Sequence, residues 1–82
     1  MTTPSEIAAI AKRTRLGLAI TQEELAMAAG TGLRFIKDLE RGKPTCEIGK
    51  ALEVLSALGI RITLAPPLQD VNRQAQNDRE PA

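Results

Sequence analysis

Apolar residues recur three and four positions apart in four stretches between residues 4 and 58, which is the spacing of one helix face. The first stretch begins at Pro4 and Ser5, both typical of helix starts, and runs to about Arg15 or Gly17. Its apolar side comprises Ile7, Ile10 or Ala11, Thr14 and Leu18. The pattern predicts a first helix with one buried face.

A second, shorter helix is predicted after residue 21, and local signals mark both of its ends. Thr21 is placed as the N-cap, and Glu24, three residues later, completes a capping box in which side chain and backbone satisfy each other. Gly30 ends the helix because glycine adopts a positive φ without a steric penalty. These signals predict a helix of about eight residues.

The third predicted helix runs from about Leu33 to Glu40. Its apolar stripe is narrow and comprises Phe35, Ile36 and Leu39. We expect Phe35 in the core, because it is the largest side chain that the stripe offers. Gly42 ends this helix, and Pro44 cannot continue it.

The fourth predicted helix follows Thr45, which we expect to cap it, with Glu47 favourable in the first turn. A period near 3.6 is kept by Ile48, Ala51, Leu52, Leu55 and Leu58. Gly59 is the expected C-terminal stop. The stripe predicts an amphipathic fourth helix.

Residues 60–64 change period: apolar and polar side chains alternate strictly, as in a half-buried strand. The apolar face comprises Ile60, Ile62 and Leu64. A single strand leaves its backbone N–H and C=O groups unpaired. We therefore expect it to pair antiparallel with the same strand of a second copy, and its apolar face to lie over Leu55 and Leu58 in a homodimer.

From residue 66 onward, polar residues and proline dominate, and Leu68 and Val71 are the only sizeable apolar side chains. Such a segment cannot bury enough apolar surface to offset its ordering entropy. The composition predicts a folded domain over residues 1–65 and a flexible tail over 66–82.

The segment from residue 21 to 43, TQEELAMAAGTGLRFIKDLERGK, combines a capped helix, a glycine turn and a second amphipathic helix. This combination is typical of a helix-turn-helix. Ala26 and Ala29 allow the second helix to cross closely, and the shared core is expected to contain Leu25, Ile36 and Leu39. A helix held in this way fits the major groove of B-DNA.

These residues resemble the Cro/C1-type (XRE) helix-turn-helix family, in the runs TQEELA and LERGK. A finer resemblance, to HipB-type antitoxins, rests on LRFIKDLERGKPT, LSALGI and RITL and covers roughly residues 5–65. It implies an all-α domain of four or five helices with a short C-terminal strand that pairs across a homodimer. It also implies a palindromic double-stranded operator, a HipA-like serine/threonine kinase toxin as partner, and repression of the toxin–antitoxin operon.

The resemblance further implies which residues contact DNA. Positions that face base edges in the family correspond to Gly32, Leu33 and Arg34, with Lys37 and Asp38 one turn later. Positions that contact phosphate correspond to Gln22, Arg41 and Lys43. Arg34 is expected to read guanine, and Asp38 to support Arg34 at i+4 more than to contact a base. Lys12, Arg13 and Arg15 either contact phosphate or are solvated charges at a helix end.

The charge, histidine and cysteine content of the chain bear on which classes of function it can have. Eleven Lys and Arg against ten Asp and Glu leave a net charge of +1, but residues 12–43 hold seven basic and four acidic side chains. There is no His and only one Cys, so we expect no enzyme activity, metal site, cofactor or small-molecule ligand. No membrane span or signal-peptide layout is present, and a cytoplasmic location is expected.

Two other functions fit the same residues. The chain could be a stand-alone repressor of the Cro/C1 type, in which case no toxin gene would neighbour its own. It could also be a protein-interaction module that has lost DNA binding, in which case it would not bind its own promoter in a salt-dependent way.

Overall fold

The computed structural model describes residues 2–67, and within them four helices follow one another. They are α1 (Pro4–Gly17), α2 (Gln22–Ala29), α3 (Leu33–Glu40) and α4 (Ile48–Ala57). α1 packs on α3, α2 packs on both α3 and α4, and the core lies between them. The predicted all-α architecture is confirmed for this part of the chain.

The predicted ends of the first three helices are confirmed within about a residue. At α2, Glu24 Oε1 accepts a hydrogen bond from the Thr21 backbone N–H (2.8 Å), and Thr21 Oγ1 accepts one from the Glu24 backbone N–H (3.0 Å). Gly30 then adopts a φ of 70° and ends the helix. The capping box and the left-handed glycine together fix where α2 starts and stops.

The predicted cap of α4 is wrong. The helix begins at Ile48, and its N-cap is Glu47 rather than Thr45. The Glu47 carboxylate accepts hydrogen bonds from the backbone N–H groups of Gly49 (3.1 Å) and Lys50 (3.0 Å). The carboxylate provides two acceptor oxygens and a full negative charge at the positive end of the helix, whereas the Thr45 hydroxyl has one oxygen and no charge.

α3 and α4 each end in a hydrogen-bonded turn of the same type. After α4, the N–H of Gly59 bonds to the carbonyl of Ser56 (2.9 Å) and that of Ile60 to Leu55 (2.9 Å). After α3, Gly42 and Lys43 make the equivalent bonds to Leu39 (3.0 Å) and Asp38 (3.1 Å). Both turns are Schellman motifs with a left-handed glycine, as the sequence predicts.

The core contains the residues that the helix-turn-helix requires. Its fully buried large side chains are Leu25, Ile36 and Val54. The predicted burial of Leu25, Ile36 and Leu39 is confirmed. Phe35 is only half-buried and packs against the edge of the core, because Ile36 occupies the centre of the stripe.

Part of the predicted α4 stripe is exposed in the single chain. Leu55 and Leu58 are buried, but Ile48 is 73% exposed and Leu52 47% exposed. The reason is that α2 covers one side of α4, where Val54 is also buried, and leaves the other open. Leu18, predicted on the buried face of α1, is likewise exposed beyond the end of that helix.

Residues 60–64 form no strand in the single chain, and no β ladder occurs among residues 2–67. Ile60 packs against the core, while Ile62 and Leu64 are exposed. Beside them lies an apolar groove of about 490 Å³, lined among others by Ile7, Ile48, Leu52, Leu55, Ile62 and Leu64. Pairing with a second copy therefore stays a prediction. The predicted tail lies almost wholly outside the described residues.

Candidate nucleic-acid interface

The outward side of α3 carries the side chains that the sequence assigns to base contact. Arg34 and Lys37 are exposed, and the Arg34 side chain is 88% exposed. Gly32 is the N-cap of the helix and, having no side chain, makes no capping hydrogen bond. Leu33 is half-buried at the first helical position. The N-terminal end of α3 is therefore narrow and open to close approach.

A basic cleft of about 450 Å³ runs along the outer side of α3. It is lined by Lys12, Gln22, Arg34, Lys37, Glu40 and Arg41. The structure thus brings four of the predicted contact residues to one surface and adds Lys12 from α1. Lys12 lies on the same surface as Arg34 and Lys37, the side chains that the sequence assigns to base contact.

Asp38 is surrounded by cations on the same face. Its carboxylate is hydrogen-bonded to Arg41, lies 3.5 Å from Lys43 Nζ, and lies 3.9 Å from Arg34 Nε. Its side chain is only 11% exposed. The hydrogen bond from Arg41 and the charges of Lys43, Arg41 and Arg34 lower the pKa of Asp38 despite partial burial, so it is ionised at neutral pH.

Glu40, also in the cleft, ties three helices together. Its Oε2 accepts a hydrogen bond from Arg15 Nε (2.7 Å), and its Oε1 accepts from Arg15 (3.1 Å) and from Gln22 Nε2 (3.1 Å). Arg15 also donates to the carbonyl of Ile20 (2.9 Å). The pair is buried, and the hydrogen bond to Glu40 raises the pKa of Arg15.

This arrangement overturns both interpretations of Arg15. Its side chain is buried and turned away from both phosphate and solvent, because each of its three nitrogens donates a hydrogen bond to Glu40 or Ile20. The predicted phosphate contact Gln22 has its amide N–H₂ directed at Glu40, which leaves the amide oxygen and the start of α2 facing the cleft. The ion pair between Arg15 and Glu40 was not predicted from the sequence, because no local pattern indicates a contact between residues on different helices.

No family model matches the chain. A curated relative from Sinorhizobium fredii, described as an uncharacterized HTH-type transcriptional regulator (y4mF), is 51% identical over 65 residues, which cover 79% of this chain and 86% of the relative. The chain belongs to the helix-turn-helix family of transcriptional regulators. This classification agrees with the expectation that the regulator is not an enzyme.

Solved structures show the same fold. A chain described as "MDT Protein" superposes with a TM-score of 0.74 at 24% identity, covering 80% of the regulator and 93% of that chain. A chain of a HipB–O4 20mer complex gives a TM-score of 0.73 at 24% identity, with the same coverage. The predicted HipB-like helix-turn-helix fold is therefore confirmed.

Two further properties concern residues 2–67 alone. None of the helices described there is long and apolar enough to cross a membrane. The same residues hold no cluster of three or more metal-binding side chains.

Proposed function

We propose that this regulator binds double-stranded DNA through the exposed side of α3 and represses transcription. The observation that carries the proposal is the basic cleft, where cations of α1 and α3 converge beside the helix-turn-helix. Two of the four acidic side chains between residues 12 and 43 are already paired with cations, because Glu40 binds Arg15 and Asp38 binds Arg41. Each pair is neutral, so residues 12–43 keep a net charge of +3, and the cations that line the cleft suit a polyanion.

In this proposal, the N-terminal end of α3 enters the major groove and its side chains contact base edges. Arg34 reads guanine through a bidentate hydrogen bond to O6 and N7, with Lys37 one turn further along the groove. Gly32 allows the backbone to approach the bases. Leu33 offers its methyl groups to thymine. Asp38 faces the cations around it rather than a base.

Residues at the edge of the cleft are proposed to hold the phosphate backbone. Gln22 lies at the first position of α2, where unpaired backbone N–H groups and the helix dipole favour an anion. Arg41 and Lys43 follow α3, and Lys12 approaches from α1. Contacts of this kind fix the register of the protein on the duplex without reading sequence.

A binding-site selection from random duplexes tests DNA binding directly. We expect the wild-type protein to enrich a palindromic site, and the double variant Arg34→Ala/Lys37→Ala to enrich none. The matched control is Lys50→Glu, which lowers the net charge by the same two units at one exposed residue that lies outside both the basic cleft and residues 60–64. Loss of enrichment in both variants would show non-specific attraction only, and no enrichment by the wild type would favour a protein-interaction module.

We further propose that the regulator acts as a homodimer joined through residues 60–64, with Ile60, Ile62 and Leu64 on the shared apolar face. Leu64 is 84% exposed in the single chain, and the apolar groove beside it adds the exposed side chains of Ile48 and Leu52. Antiparallel pairing of two copies would cover these groups and give partners to the backbone N–H and C=O groups that face the second strand. Two recognition helices about 34 Å apart would then match a palindrome.

The finer proposal is that the regulator is a HipB-like antitoxin that neutralises a HipA-like serine/threonine kinase toxin and represses its own operon. It is supported by the structural likeness to HipB complexes and by the resemblance of residues 33–45 to that group. The toxin is expected to bind faces of the domain away from α3, so that DNA and toxin bind together. The basic cleft therefore stays free for the operator.

Co-expression with the neighbouring gene product tests the toxin partner. We expect the two proteins to co-purify in the presence of operator DNA, and chains ending at residue 65 to keep nearly full DNA affinity. Loss of toxin binding in the truncated chain would place the main toxin contact in residues 66–82. Absence of any toxin gene or complex would instead identify a stand-alone repressor.

A further inference from the structure

Asp38 is a carboxylate among the cations that are proposed to contact DNA. Three of them surround it: Arg41 through a hydrogen bond, Lys43 at 3.5 Å and Arg34 at 3.9 Å. Arg34 lies one turn earlier on α3, and Arg41 is the C-cap residue that follows the helix. The Schellman turn brings Lys43 close to Asp38, because the Lys43 backbone N–H bonds to the Asp38 carbonyl (3.1 Å).

The geometry of the Arg34 contact leaves its base-reading atoms free. The nearest atoms are Arg34 Nε and an Asp38 carboxylate oxygen, 3.9 Å apart, which is an ion-pair distance and not a hydrogen bond. The Arg34 side chain is 88% exposed, so its terminal nitrogens stay accessible for a bidentate bond to guanine. The charge of Asp38 favours conformations that keep the guanidinium on this side of α3, and a side chain restricted in this way loses less conformational entropy when it binds its base.

Asp38 also opposes attraction that does not depend on sequence. Arg41 and Lys43 are expected to contact phosphate, and both are engaged with this carboxylate in the free protein. A phosphate that recruits them must compete with Asp38 and must approach its negative charge. Only a duplex that also offers the base partner of Arg34 compensates for this cost.

We propose that Asp38 is a specificity-determining positioning residue, which pre-orients Arg34 for its base and weakens binding to duplexes that lack that base. The inference rests on the proposed DNA-binding function. It differs from the role of a base contact, because Asp38 acts through Arg34, Arg41 and Lys43. It also differs from a purely structural role, which would affect all duplexes alike.

The test compares the selected operator with a duplex of equal length in which the Arg34 base pair is exchanged. Affinities of wild type and Asp38→Asn are measured by fluorescence anisotropy at several salt concentrations. We expect Asp38→Asn to bind the exchanged duplex more tightly and the ratio of the two affinities to fall about tenfold. The matched control is Glu53→Gln, which removes the same charge from an exposed position on α4 and should leave the ratio unchanged.

A double-mutant cycle with Arg34→Ala separates positioning from charge. If Asp38 acts on base discrimination through Arg34, then Asp38→Asn should not change the ratio any further in the Arg34→Ala background. Asp38→Glu keeps the negative charge but moves the carboxylate by one methylene. The ratio of the two affinities should therefore also fall, while binding to the exchanged duplex stays near wild type. This variant serves as the test if Asp38→Asn does not fold.

Equal loss of affinity for both duplexes in Asp38→Asn and Asp38→Glu, with an unchanged ratio, would overturn the inference and leave a structural role. An additive change in the cycle would overturn the link to Arg34. The wild-type measurement distinguishes these results from failure of the proposed function, because a protein that binds neither duplex has no specificity for Asp38 to set.

Discussion

Arg15 on α1 and Glu40 at the end of α3 form a buried ion pair, in which Arg15 Nε lies 2.7 Å from Glu40 Oε2. The pair joins residues 25 positions apart and also engages Gln22 on α2. It therefore fixes the C-terminal end of the recognition helix against both preceding helices. In so small a domain, this polar contact complements an apolar core of eight buried residues.

Removing the carboxylate from this pair should destabilise the fold. Glu40→Ala leaves the Arg15 guanidinium buried without a counter-charge, and we expect the free energy of unfolding to fall by about 3 kcal/mol. Glu40→Gln keeps one acceptor and should lose less. Urea denaturation followed by circular dichroism measures both, with the exposed Glu53→Ala as control. Equal stability of Glu40→Ala and the control would show that the pair contributes nothing net.

Replacing Arg34 and replacing Lys43 should reduce DNA affinity in different ways. Arg34→Ala is expected to cost about 1–3 kcal/mol of operator affinity and to relax the preference at one base pair of each half-site. Lys43→Ala should weaken all duplexes alike and reduce the slope of log affinity against log salt by about one unit. Binding titrations on a panel of single-base variants measure both. If Arg34→Ala bound the operator as the wild type does, its base-reading assignment would be wrong.

The pairing segment should control the oligomeric state. Ile62→Pro removes a backbone donor from residues 60–64, and we expect it to shift the protein to monomer in analytical ultracentrifugation and to lose most operator affinity. Ile62→Val keeps the donor and the apolar face and should remain dimeric. A fully dimeric Ile62→Pro would place the interface elsewhere, and the exposed Ile48 and Leu52 of α4 would be the next site to test.

Asp38 should make the stability of the domain sensitive to acid. Its pKa in the folded protein is lowered, chiefly by the hydrogen bond from Arg41. A lowered folded pKa means that its contribution is present above the unfolded pKa of about 3.9 and is lost as the pH falls through the folded value. The difference in unfolding free energy between wild type and Asp38→Asn should therefore be constant from about pH 5 to 8 and shrink below about pH 4. Denaturation at pH 6 and pH 3 measures it.

The sequence predicts the helices well where local chemistry decides their ends. Thr21, Glu24 and Gly30 bound α2, and Gly42 and Gly59 end α3 and α4, because capping and left-handed turns involve only neighbouring residues. The cap of α4 is the exception. Two local acceptors, Thr45 and Glu47, compete there, and the turn that begins at Pro44 carries the chain past the first of them.

The sequence does not predict contacts that depend on how helices cross. Arg15 has the same neighbours along the chain as an ordinary solvated arginine, and only the packing of α1 on α3 brings it to Glu40. The burial of the α4 stripe is equally hard to predict. Periodicity places Ile48 and Leu55 on the same apolar side of the helix but does not show whether another element covers each of them. For the basic cleft, the helix-turn-helix pattern places Arg34 and Lys37 correctly on an exposed face, while the inclusion of Lys12 requires the tertiary arrangement.

The two sides of α3 are independent of each other. Ile36 and Leu39 hold the helix in the core, while Arg34 and Lys37 point outward and make no contribution to that packing. Changes on the outer side can therefore accumulate while the scaffold remains intact. During evolution, a protein with this fold can change its target sequence by a few substitutions on the outer side of α3. In protein design, the same positions can be randomised without repacking the core.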